Sequence, residues 1–198
     1  MRVIHPIPPL YSKESRVLIL GSFPSVKSRE QAFFYGHPQN RFWRVISDIF
    51  EGRVPQTVEE KKQLILNNRL ALWDVIAECE ISGSSDSSIK EVVPNNIGKI
   101  LSESNISAIF VNGRTAEKYY VKYTEPRLGK KAVCLPSTSP ANAAWSLERL
   151  CEEWKIIKEY TNRPHLRSCR AAPLFCADRK GGKEPSDTLS IGFPNLPE

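Results

Sequence analysis

With 198 residues, 40% of them hydrophobic and 25% charged, the chain is long enough to bury one core, and its makeup excludes a fibrous or wholly disordered protein. Its net charge of +6 favours a polyanionic partner, because phosphates neutralised by Lys and Arg release counterions on binding. Five irregularly spaced cysteines and three scattered histidines argue against a disulfide framework or a metal site, and no stretch approaches the ~18 apolar residues of a membrane span.

Taken in chain order, Ile4-His5-Pro6-Ile7-Pro8-Pro9 cannot be helical, since proline fixes φ and restrains its predecessor, so it reads as an extended arm. The apolar run Arg16–Leu20, stopped by Gly21, fits a strand buried on both faces. After a loop, Phe42, Val45, Ile46, Ile49 and Phe50 repeat at helical spacing, so a helix is predicted from Asn40. Thr57 with Glu60 matches a capping box and opens a second helix. Leu70–Ile76 is apolar and ambiguous between strand and helix, and Ser82-Gly83-Ser84-Ser85 reads as a loop.

Asn95 or Asn96 can cap a helix carrying Ile97, Ile100 and Leu101. Ala108–Val111 reads as another buried strand, closed by Asn112-Gly113 and followed by the helix-like RTAEKYYVKY. Ala132–Leu135 is the third strand. Ser139-Pro140 is predicted to open a long last helix with Leu147, Leu150, Trp154 and Ile157 on its buried stripe. Cys134 and Cys151 fall in apolar segments and read as small hydrophobes. Strands alternating with helices predict an α/β fold: a three-layer sandwich around a short, mostly parallel sheet. Residues 1–160 form this domain. The stretch 161–198 holds five prolines, three glycines and no periodicity, and is expected to be a poorly ordered tail. Without it the remainder is still basic. The N-terminus lacks an apolar run with a cleavage site, so an intracellular protein is expected.

Ligands of open parallel sheets bind outside the carboxyl ends of the strands. Gly21-Ser22-Phe23-Pro24-Ser25, Asn112-Gly113-Arg114 and Leu135–Asn142 all fall at such ends, and the last offers hydroxyls at a predicted helix start, a seat for phosphate. Ala32–Trp43 is unusually aromatic. Phe34 or Tyr35 can stack on a base, or the rings can close a hydrophobic cluster.

GSFPS after a buried strand, GHPQNRFW opening a helix and LPSTSPAN before the last helix resemble the motifs of the uracil-DNA glycosylase superfamily. The likeness spans about residues 1 to 160. The NRFW start is similar to the mismatch-specific enzymes, and GSFPS to the hypoxanthine branch that acts on deoxyinosine. Mismatch-specific relatives have GINPG in the first motif, whose Asn positions the attacking water; here Phe23 stands there, and the Asp of other branches is missing too. In the hypoxanthine branch the catalytic amide precedes RFW, which is Asn40 here, although Asn is also a good helix cap.

The resemblance implies a monofunctional DNA-repair glycosylase that flips a deaminated base out of DNA and hydrolyses its N-glycosidic bond. Asn40 would orient the water, and backbone at Gly21, Ser22 and Phe23 would line the pocket. Phe34 or Tyr35 would stack on the base while Asn112 reads its edge. Ser137 and Ser139 would clamp phosphates, Pro140–Asn142 would enter the minor groove or fill the vacated stack, and Arg41 and Arg114 would contact the DNA backbone. Asp74, a carboxylate amid apolar neighbours, is the alternative water activator or else a turn cap. No metal or cofactor is demanded, and a monomer acting on DNA is expected, with no membrane partner. A uracil/thymine mismatch enzyme and a non-catalytic DNA-binding relative are the competing readings.

Overall fold

A computed structural model describes residues 2–81 and 89–162 of the chain. The expected loop at Ser82–Ser85 and the expected tail beyond residue 162 lie outside the described residues. In chain order the elements are β1 (Arg2–Ile4), β2 (Val17–Gly21), α1 (Val26–Glu30), α2 (Phe42–Ile49), α3 (Val58–Asn67), β3 (Leu70–Asp74), β4 (Ile76–Glu80) and β5 (Lys90–Pro94). There follow α4 (Ile97–Glu103), β6 (Ala108–Asn112), α5 (Arg114–Tyr119), a π-helical stretch Tyr120–Thr124, α6 (Glu125–Leu128), β7 (Val133–Leu135), α7 (Leu147–Trp154) and α8 (Ile156–Asn162).

The central sheet is all parallel, in the order β3-β2-β6-β7. Because side chains alternate along a strand, its residues divide cleanly between two cores. Val17 and Ile19, Leu70 and Leu72, and Phe110 face α2, α3, α7 and α8, whose Phe42, Ile46, Ile65, Leu150, Trp154 and Ile157 complete one core. Leu18, Leu20, Ala71, Ile109 and Val111 face Ile97 and Ile100 of α4 and Ala116 and Tyr119 of α5. The expected helix–sheet–helix layering is therefore present, and both faces of the sheet are covered, as all-parallel sheets require.

Leu70–Ile76 resolves into β3 and the first residue of β4. The arm that the prolines mark as extended is more than a strap. Its first residues, as β1, pair antiparallel with β4, which pairs with β5 in a second, three-stranded sheet. Farther along the arm, Leu10 bridges Leu72 at the edge of β3. The capping box forms as predicted, with Thr57 and Glu60 each bonding the other's backbone N–H.

Three local expectations are corrected. A short helix, α1, follows GSFPS, capped by Ser25, where a loop was expected. Neither Asn95 nor Asn96 caps α4 through its side chain; the Asn95 amide instead donates to the Asp74 and Ile76 carbonyls, 2.9 and 3.1 Å away. Most consequentially, no helix begins at Ser139-Pro140. Helix α7 starts at Leu147 under Ser146, whose hydroxyl accepts from Arg149 N–H. The reason is that Arg41 takes the Ser139, Asn142 and Trp145 carbonyls, which a helix over those residues would need for its own ladder.

Candidate active site

Parallel strands deliver all their carboxyl ends to one edge, and here four strands do so. The register aligns Gly21 with Asp74 and Asn112 with Leu135. A cavity of about 200 Å³ opens at this edge, lined by Gly21, Ser22, Phe23, Phe34, Tyr35, Asn40, Asp74, Asn112, Ser137 and Ser139 among others. It is smaller than the ~300 Å³ at which drug-sized pockets begin, a scale suited to one flat ring system. A wider groove of about 960 Å³ shares Asn112, Ser137 and Ser139 with it and continues past Arg114 and Asn142.

Asn40 and Asn112 meet through Thr138, whose side chain is fully buried. The Thr138 backbone N–H donates to Asn112 Oδ1 at 3.0 Å, which fixes the amide so that Asn112 Nδ2 donates to Thr138 Oγ1 at 2.9 Å. The Thr138 hydroxyl then donates to Asn40 Oδ1 at 3.0 Å, an oxygen that also accepts from Phe42 N–H at 2.9 Å. A carboxamide oxygen has two lone pairs, and both are used. Asn40 is thus left with its Nδ2 donors to offer a ligand. Its oxygen takes the first N–H of α2 from one residue ahead of the N-cap, which is Arg41 and makes no side-chain cap bond, while its nitrogen stays available.

Asp74 ends β3 and is buried to 5% exposure. Its Oδ2 lies 2.8 Å from His5 Nε2, and His5 Nδ1 accepts from Ile7 N–H at 3.2 Å. That backbone donor requires Nδ1 to carry no proton, so the imidazole keeps its proton on Nε2, which donates a hydrogen bond to the carboxylate. Backbone N–H of His5 is itself tied to Ala77 O at 2.8 Å. The strand-pairing arm therefore carries His5 under the site. Sequence reasoning missed His5 altogether, because its partner is 69 residues away.

Gly21 is obligatory here: a methyl group on it would collide with Asp74 Oδ1 and stand 3.5 Å from the Tyr35 hydroxyl. Gly113, at φ +93°, would likewise bring a Cβ to 2.7 Å from Ser137 Cβ. The Tyr35 hydroxyl is buried and makes no hydrogen bond among the described residues. Burial, then the charge of Asp74, pushes its phenol well above the ordinary range against a smaller opposing pull from Asn112, so it remains a neutral donor.

The rings of the aromatic stretch close a hydrophobic cluster, and two of them also line the cavity. Phe33, Phe34, Phe42 and Trp43 belong to the core, while Phe34 and Tyr35 reach the cavity wall. One face of the Tyr35 ring is spent on Phe42, with centroids 3.8 Å apart and planes 18° apart. Ala32 and Tyr35 both adopt left-handed backbone, φ 50° and 52°, so the loop is held in a shape non-glycine residues disfavour. Ser28 supports it, its hydroxyl accepting from Gly36 N–H at 3.0 Å.

Of the residues expected to contact DNA, Ser137 and Ser139 sit where cavity and groove join, and Asn142 and Arg114 line the groove. Arg114 is exposed and paired with Glu117 at 2.9 Å. Arg41 is elsewhere. Its guanidinium is turned beneath the 138–145 loop, donating to the carbonyls of Thr138, Ser139, Asn142 and Trp145. It is a clamp on that loop, and the DNA contact expected of it finds no support. Nor does Ser139 occupy a helix N-terminus, since α7 begins farther on.

The family model for the Uracil DNA glycosylase superfamily matches residues 8–161. Two curated relatives, each named hypoxanthine DNA glycosylase, come from Methanosarcina acetivorans and Methanosarcina barkeri. The first is 34% identical over 155 residues, covering 76% of this chain and 94% of its own. The second is 31% identical over 141 residues, covering 68% and 85%. A solution NMR structure from Methanosarcina acetivorans, described as a candidate uracil DNA glycosylase, matches with a TM-score of 0.70 and 29% identity, over 82% of this chain and all of that one.

Proposed function

The chain belongs to the uracil-DNA glycosylase superfamily, and from that footing we propose that it is a monofunctional DNA-repair glycosylase that removes hypoxanthine from deoxyinosine. The observation that carries this reading is the single cavity at the strand ends, where Asn40, Asn112 and Asp74 stand together behind an aromatic wall. It accepts a flipped base, and the adjoining groove accepts the strand that flanks it.

Cleavage of an N-glycosidic bond passes through an oxocarbenium-like sugar and leaves negative charge on the departing base. So electrophilic a sugar needs a placed water more than a deprotonated one. Asn40 supplies the placement, donating from Nδ2 to one lone pair of the water oxygen and leaving the other to attack. Phe34 and Tyr35 wall the base, and Asn112, fixed by Thr138, faces it with its remaining N–H and lone pair. Ser137 and Ser139 hold the flanking phosphates, and Pro140–Asn142 occupies the space the base vacates. The protein acts inside the cell as a monomer on DNA; among the described residues no helix is long and apolar enough to cross a membrane.

The test is alkaline strand cleavage of labelled duplexes carrying deoxyinosine, deoxyuridine or deoxyxanthosine. Wild type should leave abasic sites at deoxyinosine fastest, and Asn40→Ala should slow this by about 100-fold or more with DNA binding retained. Near-wild-type turnover in Asn40→Ala would move the water-positioning role to another group. Preference for uracil would make it a pyrimidine enzyme, and DNA retention with no abasic sites would make it a binding protein.

A further inference from the structure

The scheme uses the Tyr35 ring as a wall but leaves its hydroxyl and the Asp74 carboxylate without a part, and both groups are unusual. A carboxylate 5% exposed has one oxygen held by His5 and the other at the cavity, over Gly21. Beside it a buried phenol donor has no partner. An unmade buried hydrogen bond of this kind is destabilising, so it persists where a ligand completes it. Both atoms lie within 3.5 Å of the point from which a Gly21 side chain would start. Acceptor and donor thus stand side by side on the cavity wall, where the missing Gly21 side chain makes room for Asp74 Oδ1, and together they bound the slot that a base edge would enter.

Deamination has a common chemical signature. Adenine and cytosine present a ring nitrogen lone pair next to an amino group; hypoxanthine and uracil present a ring N–H next to a carbonyl. Donor and acceptor exchange places. The geometry points to Asp74 and Tyr35 as the reader of that exchange: Asp74 Oδ1 accepts from the ring N–H of the deaminated base, and the Tyr35 hydroxyl donates to its neighbouring carbonyl. This deepens the glycosylase reading and rests on it. Against an undamaged adenine the carboxylate meets a lone pair, and two acceptors face one another without a proton, which is how a site built for one hydrogen-bond pattern rejects its inverse. Guanine and thymine share the N–H and carbonyl, so this pair sorts deaminated adenine and cytosine from their parent bases and does not act against guanine or thymine. His5 is the positioning residue: its neutral ring, held by Ile7 N–H, fixes which carboxylate oxygen faces the slot.

A binding experiment separates this from a structural role. Duplexes carrying 2′-fluoro analogues, which resist cleavage, would hold deoxyinosine, deoxyadenosine or purine deoxynucleoside, the last lacking both the ring N–H and the carbonyl. Wild type should bind the inosine duplex at least about 30-fold more tightly than the purine duplex, the scale of a charge-assisted hydrogen bond with a second bond beside it. Asp74→Asn should erase that preference and favour adenine, because His5 will hold the new amide's oxygen and turn its NH₂ to the slot. Tyr35→Phe should lose about tenfold of the preference. Tyr35→Phe should leave the affinity for the purine duplex within about threefold of wild type, and Asp74→Asn should keep or raise it, since the new NH₂ meets the ring lone pair that purine shares with adenine; either result also reports that the variants fold. A wild type that binds inosine and purine duplexes alike, or an Asp74→Asn variant that weakens all three duplexes equally, overturns the inference. If abasic sites still form at deoxyinosine in that case, the glycosylase reading survives it.

Discussion

Asn40 shows how one side chain serves two roles that look exclusive on paper. The amide oxygen ties the start of α2 to the loop after β7, and the amide nitrogen is left for the ligand. Everything therefore depends on Thr138, the one hydroxyl that accepts from Asn112 and donates to Asn40. Thr138→Val keeps the shape and removes both bonds. It should lower stability by about 1–3 kcal/mol, since the side chain is fully buried. It should also slow single-turnover base release while leaving DNA affinity near wild type, because each amide keeps its bond to a backbone N–H but loses the second bond that orients it, and the groove does not change. Chemical denaturation and rapid-quench kinetics check the two halves. The candidacy of Asn40 was legible from NRFW. Its division of labour was not, because Thr138 is 98 residues away.

Among elements, the loop between β7 and α7 departs most from its sequence pattern. Serine followed by proline is a good helix start, yet the carbonyls of this loop are captured by Arg41 before any ladder can form. A local rule is overruled by a side chain about a hundred residues earlier. Arg41→Lys keeps the charge but replaces a rigid fork with a compact ammonium that cannot span four carbonyls. The variant should show faster amide hydrogen exchange across 138–146 and a KM for DNA about tenfold higher, with kcat less affected. Unchanged exchange there would mean that the Trp154 Nε1 bond to Pro136 O, 2.9 Å long, holds the loop without help. The second sheet was hidden for a related reason: its three strands are short, and only their pairing with one another makes them strands.

At the scale of the whole molecule, burial sets an alkaline limit on the fold. The Cys134 thiol is pushed up to about 11 by burial and then by Glu117, the Cys151 thiol to about 11 by burial and then by Asp48, and the Tyr120 phenol to about 12 by burial and then by Glu125. Each raised value means that the folded chain keeps a proton the unfolded chain has already released. Stability is therefore whole below the unfolded values and is lost as pH climbs through the folded ones. The melting temperature should fall between about pH 9 and about pH 11, and a Cys134→Ala/Cys151→Ala variant should fall less steeply over the same range. Equal slopes would assign the alkaline decline to other groups.

Sequence by itself determined the layered α/β fold, the buried strands ending at Gly21 and Asn112, the α2 start with Asn40, and the aromatic wall. These are properties of periodicity and of short motifs, which act over a few residues. Only the tertiary structure decided that Asp74 stands at a fourth strand end with His5 beneath it, that Arg41 faces inward, and that the Tyr35 hydroxyl is left without a partner. Hydrogen bonds and ion pairs are satisfied in space, by groups tens of residues apart along the chain, and a sequence pattern carries no record of which ones will meet.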